Sequence, residues 1–138
     1  MNDTVKQAFE YFVSGKHCSQ AVLGAFSEKY RVDKETAFKI SNGLNSGVRC
    51  AEVCGAVTGA VMVIGLKYGD SDEICNQKTE EFIKCFREKN GDIICRNLLR
   101  CNISTLQGKK EADNLNLFST ICSYLVYSSA QTLNDLGY

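Results

Sequence analysis

Gly47-Val48-Arg49-Cys50-Ala51-Glu52-Val53-Cys54-Gly55-Ala56-Val57-Thr58-Gly59-Ala60, continued by Val61 to Leu66 without a charge, is the stretch that decides the fold. Its apolar half predicts a buried central helix from Cys50 or Ala51 to about Lys67, with Cys50 and Cys54 one turn apart at its start. Gly55, Gly59 and Ala60 put small residues on one side of that helix, so that another helix approaches closely; Gly24 and Ala25 do the same on an earlier one. In a soluble bundle a Gly-x-x-x-Gly spacing marks tight packing rather than a membrane dimer. Gly55 also leaves room and backbone access beside the Cys54 sulfur.

Outward from this stretch the chain reads as helices with short connections. It contains no proline, and most of its 11 glycines fall between periodic segments. A first helix is expected from a cap at Asp3 or Thr4 to Ser14, burying Val5, Ala8, Phe9 and Phe12, with Gly15 as its stop. A second runs from about Cys18 to Tyr30. Asp33 opens a third, with Ala37, Ile40 and Leu44 as its apolar stripe. Ser71 or Asp72 caps a charged helix ending near Asn90, with Ile74, Phe82, Ile83 and Phe86 inward. Gly91-Asp92 is a stop followed by a cap for a short helix through Cys95, Leu98 and Leu99. Gln107 to Asn114 reads as a helical turn, and a last helix runs from about Asn116 to Leu133. The expected fold is an all-α single domain spanning 1–138, a bundle of about six to seven helices around the buried Gly/Ala-rich helix.

Composition narrows the function. A chain of 138 residues with 44% hydrophobic content is one domain that buries roughly two thirds of its unfolded surface. Lys plus Arg equals Asp plus Glu at 16 each, so no basic field invites nucleic acid. Val53 to Leu66 falls short of the ~20 residues that span a bilayer. The start Met1-Asn2-Asp3-Thr4-Val5-Lys6-Gln7 lacks the pattern of a secretory signal. The expectation is a cytoplasmic protein with no membrane span. There, eight cysteines do not read as four structural disulfides, because cellular reductants keep thiols reduced. Metal binding, cluster binding and redox chemistry stand against inert buried thiols.

Cys18, Cys54 and Cys95 all fall in predicted first helical turns, where unpaired amides and the dipole favour a thiolate. Cys122 sits on an apolar face with Phe118 and Leu125. Cys101 follows Cys95 by six residues, so the two converge only if the short helix ends between them. Cys75 and Cys85 lie on the charged helix as bystanders. There is no Cys-x-x-Cys and no ferredoxin spacing, which disfavours a zinc ribbon or thioredoxin-type motif. A four-thiolate site assembled from different helices at Cys18, Cys54, Cys95 and Cys101 or Cys122 remains open. His17, the one histidine, adjoins Cys18 in sequence but points elsewhere, and reads as a surface imidazole.

Cys54-Gly55-Ala56-Val57-Thr58-Gly59-Ala60 resembles the central signature of the C-GCAxxG-C-C family, described as redox-active. His17-Cys18-Ser19-Gln20-Ala21-Val22 resembles its N-terminal cysteine block, Ile94-Cys95 through Cys101-Asn102-Ile103-Ser104-Thr105 its downstream block, and Ile121-Cys122 its last. The family's loop before the central cysteine is usually richer in glycine than Asn42 to Arg49. The resemblance implies that Cys18, Cys54, Cys95 and one or both of Cys101 and Cys122 are the functional thiols, with Gly55 beside them; Cys50, Cys75 and Cys85 fall outside the pattern. An iron–sulfur centre suggested for a related domain in some multihaem cytochromes makes an iron–sulfur cluster or another thiolate-bound metal the first expectation, ligated by Cys18, Cys54, Cys95 and Cys101 or Cys122. Dithiol–disulfide cycling of Cys54 with Cys18 or Cys95, without metal, is the second, and a structural zinc adaptor the third. A redox partner protein is expected for an electron carrier, and a homodimer is open.

Overall fold

The computed structural model describes residues 2–138, and its regular structure is all-α. Eight α-helices occur among the described residues, against the six to seven expected: α1 Asp3–Val13, α2 Cys18–Ser27, α3 Lys34–Ser41, α4 Gly55–Tyr68, α5 Asp72–Asn90, α6 Cys95–Leu99, α7 Leu106–Asn114 and α8 Ser123–Asp135. The extra one is α7. Its polar sequence read as a turn, but Thr105 caps it by accepting from the Gly108 amide at 3.0 Å, and Gly108 and Ala112 bury one narrow face.

Caps set most boundaries. Asn2, not Asp3 or Thr4, caps α1, its Oδ1 accepting from the Thr4 amide at 2.8 Å. Gly15, at φ +114, ends that segment. Asp33 and Ser71 cap α3 and α5 as read. Asp92 accepts from the amides of Ile93 at 2.6 Å and Ile94 at 3.1 Å but does not cap α6; Ile94 occupies the cap position and Cys95 is the first helical residue.

The start of α4 corrects the sequence reading. Ser46, Gly47, Val48, Arg49 and Ala51 all have φ between 54° and 62°, a left-handed path that no right-handed helix can include. The helix therefore begins at Gly55 with Cys54 as its cap, and Cys50 is an exposed loop residue rather than one turn from Cys54. Two apolar positions are corrected as well. Ile40 is 55% and Ile74 45% exposed. The short α3 meets α2 through Ala37, Phe38 and Ser41, which turns Ile40 outward.

α2 packs on α1, α3, α4 and α8, and α4 on α2, α5 and α8. Val22, Phe26, Val57, Ile64, Phe82, Phe86, Val126 and Leu133 are fully buried between them, and each such side chain contributes roughly 1.5–3 kcal/mol. Two buried serine hydroxyls are satisfied across the helix contacts: Ser19 donates to the Ser41 carbonyl at 2.8 Å and Ser129 to the Ala56 carbonyl at 2.7 Å. α2 and α4 cross closely, so that a Cβ on Gly59 would stand 2.7 Å from the Ser19 carbonyl oxygen. Among the described residues no helix is long and apolar enough to cross a membrane.

This crossing predicts opposite outcomes for two glycines of one helix. Gly59→Val meets backbone that cannot yield, and should cost at least ~2 kcal/mol of stability by overpacking. Gly65→Ala meets nothing within 4 Å and should gain about 0.5–1 kcal/mol from lower unfolded-chain entropy. Urea unfolding midpoints check the pair, and equal midpoints would show that the helices do not meet at Gly59.

Candidate functional site

Four helix starts converge on one cavity. Cys18 is the first residue of α2, Cys54 caps α4, Cys95 is the first residue of α6, and Cys122 closes the wide π-type turn Phe118–Cys122 that leads into α8. All four, with Gly55, line a half-enclosed cavity of about 400 Å³. Its inner wall is apolar, from Phe12, Leu98, Ile103, Phe118 and Leu125; Lys16, His17, Arg49 and Lys109 stand on the same lining. Cys101 follows the left-handed Arg100, so the short helix does end between it and Cys95. It packs with the cluster of Cys95, Leu99 and Ile103 and does not line the cavity. Cys75 and Cys85, both half-buried on α5, are outside it too, as is the exposed Cys50.

Two pieces of backbone fix the sulfurs. Val53 and Ile94 form an isolated antiparallel bridge, with the Cys54 amide donating to the Ile93 carbonyl at 2.7 Å and the Cys95 amide to the Glu52 carbonyl at 2.6 Å. An ion pair from Arg96 to Glu52 at 2.7 Å clamps its outer side. In such a bridge Cys54 and Cys95 share a face two registers apart, and diagonal neighbours of this kind lie ~7–8 Å apart. The second piece is the α2–α4 crossing, where a methyl on Gly55 would collide with Cys18 Sγ. The sulfur thus occupies the space that glycine leaves, and the amides of Ser19, Ser46 and Gly55 are directed at it.

Electrostatically the site reverses the expectation from helix starts. Burial pushes the Cys18 thiol up, against the opposing pull of those amides. Burial pushes Cys54 well above the ordinary thiol value, and the neighbouring sulfurs of Cys18, Cys122 and Cys95 add to it. Cys95 is pushed up to about 11 by burial, then by Cys18 and Cys101, with Arg96 opposing; Cys122 is pushed up to about 12 by burial, then by Cys18, Cys95 and Cys101. Cys101 is raised by burial and by Glu111. Desolvation outweighs helix dipoles here: Cys54 and Cys95, at 7% exposure, have lost nearly all their water, and Cys18 and Cys122 are half-buried. All eight cysteines are free, and burial favours the neutral S–H form of the cavity thiols. His17 is held below its ordinary value by burial and then by Arg49 and Lys16, which places two cations beside the imidazole.

Sequence reasoning missed the left-handed turn 46–49, which aims the Ser46 amide at Cys18 and sets Arg49 on the cavity wall. Gly47 was its one signal. No residue pattern announces a Ser, a Val and an Arg at positive φ.

No curated protein sequence and no solved structure matches the chain. A family model does, over residues 16–136, from beside the first cavity cysteine to the end of α8. The chain belongs to the family described as "Putative redox-active protein (C_GCAxxG_C_C)".

Proposed function

We propose that this redox family member works through the cysteine-lined cavity, and that Cys18, Cys54, Cys95 and Cys122 hold a thiolate-ligated iron–sulfur cluster. The observation that carries this reading is the convergence of four thiols from four separate elements on one water-poor cavity, with Cys54 and Cys95 tied in diagonal register. Thiolates are soft donors suited to iron–sulfur clusters and zinc. A lone ion does not fit the side chains as they stand, since among the described residues no three His, Cys, Asp or Glu side chains are gathered for one. For the pair Cys54 and Cys95, the ideal diagonal spacing of ~7–8 Å in an antiparallel ladder is at or beyond the ~7 Å Cα limit for a disulfide. A cluster with bridging sulfides sets its ligands wider apart than one ion does, and the cavity of about 400 Å³ has room for it.

Such a cluster supplies one-electron chemistry when bound. The chain's own residues prepare the place. The four thiols give up their protons as ligands, which the buried setting resists until a cation compensates the charge. The amides of Ser19, Ser46 and Gly55 favour the thiolate of Cys18. Phe12, Phe118 and Leu125 keep the interior dry, and Gly55 leaves the sulfur its space. Cys101, packed behind Cys95, is the remaining candidate ligand. Electron exchange with a redox partner protein follows from this role. The competing dithiol reading draws on one observation, that a disulfide also removes buried charge from sulfurs held neutral. For Cys54 with Cys95 it requires backbone movement at the Val53–Ile94 bridge; for Cys54 with Cys18 the bridge sets no such requirement.

Three outcomes are expected. Protein purified without oxygen carries stoichiometric iron and acid-labile sulfide with a brown colour; a colourless, metal-free preparation that reversibly loses two thiols would replace the cluster with dithiol chemistry. Cys54→Ser abolishes the bound iron, whereas Cys75→Ser retains it, and equal loss in both would make the signature structural. The third concerns the reduced, metal-free protein. Folded-state thiol values lie above the ordinary one, so the neutral form contributes stability that is complete below the ordinary thiol range. That stability is lost as pH rises through about 11 for Cys95 and about 12 for Cys122. Alkylation read by mass spectrometry should accordingly reach the exposed Cys50 first and Cys54, Cys95 and Cys122 last, these three accelerating only at strongly alkaline pH.

A further inference from the structure

The cationic side of the cavity is not used by thiol ligation. Arg49 Nη1 donates to Asn45 Oδ1 at 2.9 Å and to Ser46 Oγ at 3.3 Å, so two neutral groups hold the guanidinium and leave its other donors available. No carboxylate pairs with Lys16, Arg49 or Lys109 in the ion pairs among the described residues. Lys16 lines the cavity while its ammonium stands over the Phe38 ring, outside that lining, at 4.4 Å, and both it and Arg49 lower the His17 pKa. Asp113 is the single carboxylate on the cavity lining. In a chain of zero net charge this is a local excess of positive charge on the cavity lining.

The backbone that presents Arg49 is strained. Val48 and Arg49 have φ of 57° and 62°, and a β-branched residue there is an outlier costing roughly 1–3 kcal/mol. Strain of this kind persists where surrounding structure over-determines it, and here the turn carries Arg49 onto the cavity wall.

We infer that Arg49 and Lys16 form an anion-recognition site on the cavity lining, and that the cavity admits a small molecule with an apolar body and a carboxylate or oxyanion head. A volume of about 400 Å³ falls within the range of small-ligand pockets, typically ~300–1,000 Å³. Apolar walls with a few convergent polar groups are the usual makeup of such pockets. The cations stand on the cavity lining itself, which suits a small anion seated in the cavity over an acidic protein laid across the surface. The inference rests on the cavity being the working site, and names the class of molecule that meets it there.

Iodoacetate and iodoacetamide test it, because they share one reaction and differ in charge. In each, the thiolate sulfur displaces iodide from carbon, and the proton lost from the thiol goes to buffer. The metal-free reduced protein is treated at alkaline pH and the rates at each cysteine are read by mass spectrometry, with Cys85 on α5 as internal reference. The expected result is an iodoacetate-to-iodoacetamide ratio at Cys18 and Cys54 several-fold above that at Cys85. Removing one cation, in Arg49→Gln or Lys16→Gln, should lower that ratio roughly fivefold, the factor of one charge at ~4 Å in water. Arg49→Lys should restore it. Equal ratios at cavity and reference thiols, or ratios unmoved by either substitution, would each overturn the inference. Slow reaction of the buried cavity thiols with both reagents is expected, and treatment is prolonged until they react, so that the ratio stays readable. Because Lys16→Gln leaves the strained turn intact, it remains decisive if Arg49→Gln fails to fold. The measurement involves no iron and no electron transfer, so its failure is distinct from failure of the cluster reading.

Discussion

The crossing of α2 and α4 is the constraint on which the site depends. At Gly59 the Ser19 backbone comes so near that no side chain fits, and at Gly55 the space of the missing side chain is taken by the Cys18 sulfur. One close approach therefore both closes the core and delivers a thiol to the start of α4. Dispersion and apolar burial favour the contact, and glycine's lower helix propensity, roughly 1 kcal/mol per residue against alanine, is the opposing cost. Two helices held this near act as a fixed frame, to which the Val53–Ile94 bridge then ties Cys95.

Thiol acidity in this frame is a contest between backbone and solvent. Cys18 has three neighbouring amides directed at it, and both it and Cys95 sit where helix dipoles favour negative charge. Burial still wins at every cavity sulfur. The dipole effect is worth typically 0.3–1 kcal/mol, rising to ~2 in partly buried geometries, whereas desolvation of a fully buried acid shifts it by up to ~3–5 pKa units at ~1.4 kcal/mol each. Sulfurs that cannot ionise alone are poor free nucleophiles. Gathered in one place, they are disposed to ionise together when a cation arrives, and this is why the cavity suits ligation better than an activated single thiolate.

The irregular backbone is concentrated at the cavity. The left-handed path through 46–51, the bridge and the π-type turn Phe118–Cys122 all border it, while the far ends of α4, α5 and α8 are regular. Wide turns of the π type and non-glycine residues at positive φ cost free energy, and both cluster at functional sites in proteins generally. In this chain they re-aim Cys122, the Ser46 amide and Arg49 toward a common space.

The all-α fold was legible because helix signals are local. Apolar spacing in α5 and α8, caps at Asp33 and Ser71, the stop at Gly91 and the small-residue spacing of α4 each act within a few residues of the chain. Cys18, Cys54, Cys95 and Cys122 were legible as candidates for the same reason, since each stands in a short recognisable block. Local pattern failed where a long-range contact decided. Cys50 reads as helical beside Cys54, yet the left-handed residues around it, Ser46 to Arg49 and Ala51, carry it out to solvent. Cys101 and Cys122 could not be ranked, because which one faces the cavity depends on how α6 ends and where α8 packs. The basic residues of the cavity lie at 16, 49 and 109, on three separate segments, and the thiols' raised protonation follows from burial by neighbours distant in sequence. Spacing along a chain encodes periodicity and caps; proximity between segments is set by packing, and only the packed tertiary structure brought these groups together.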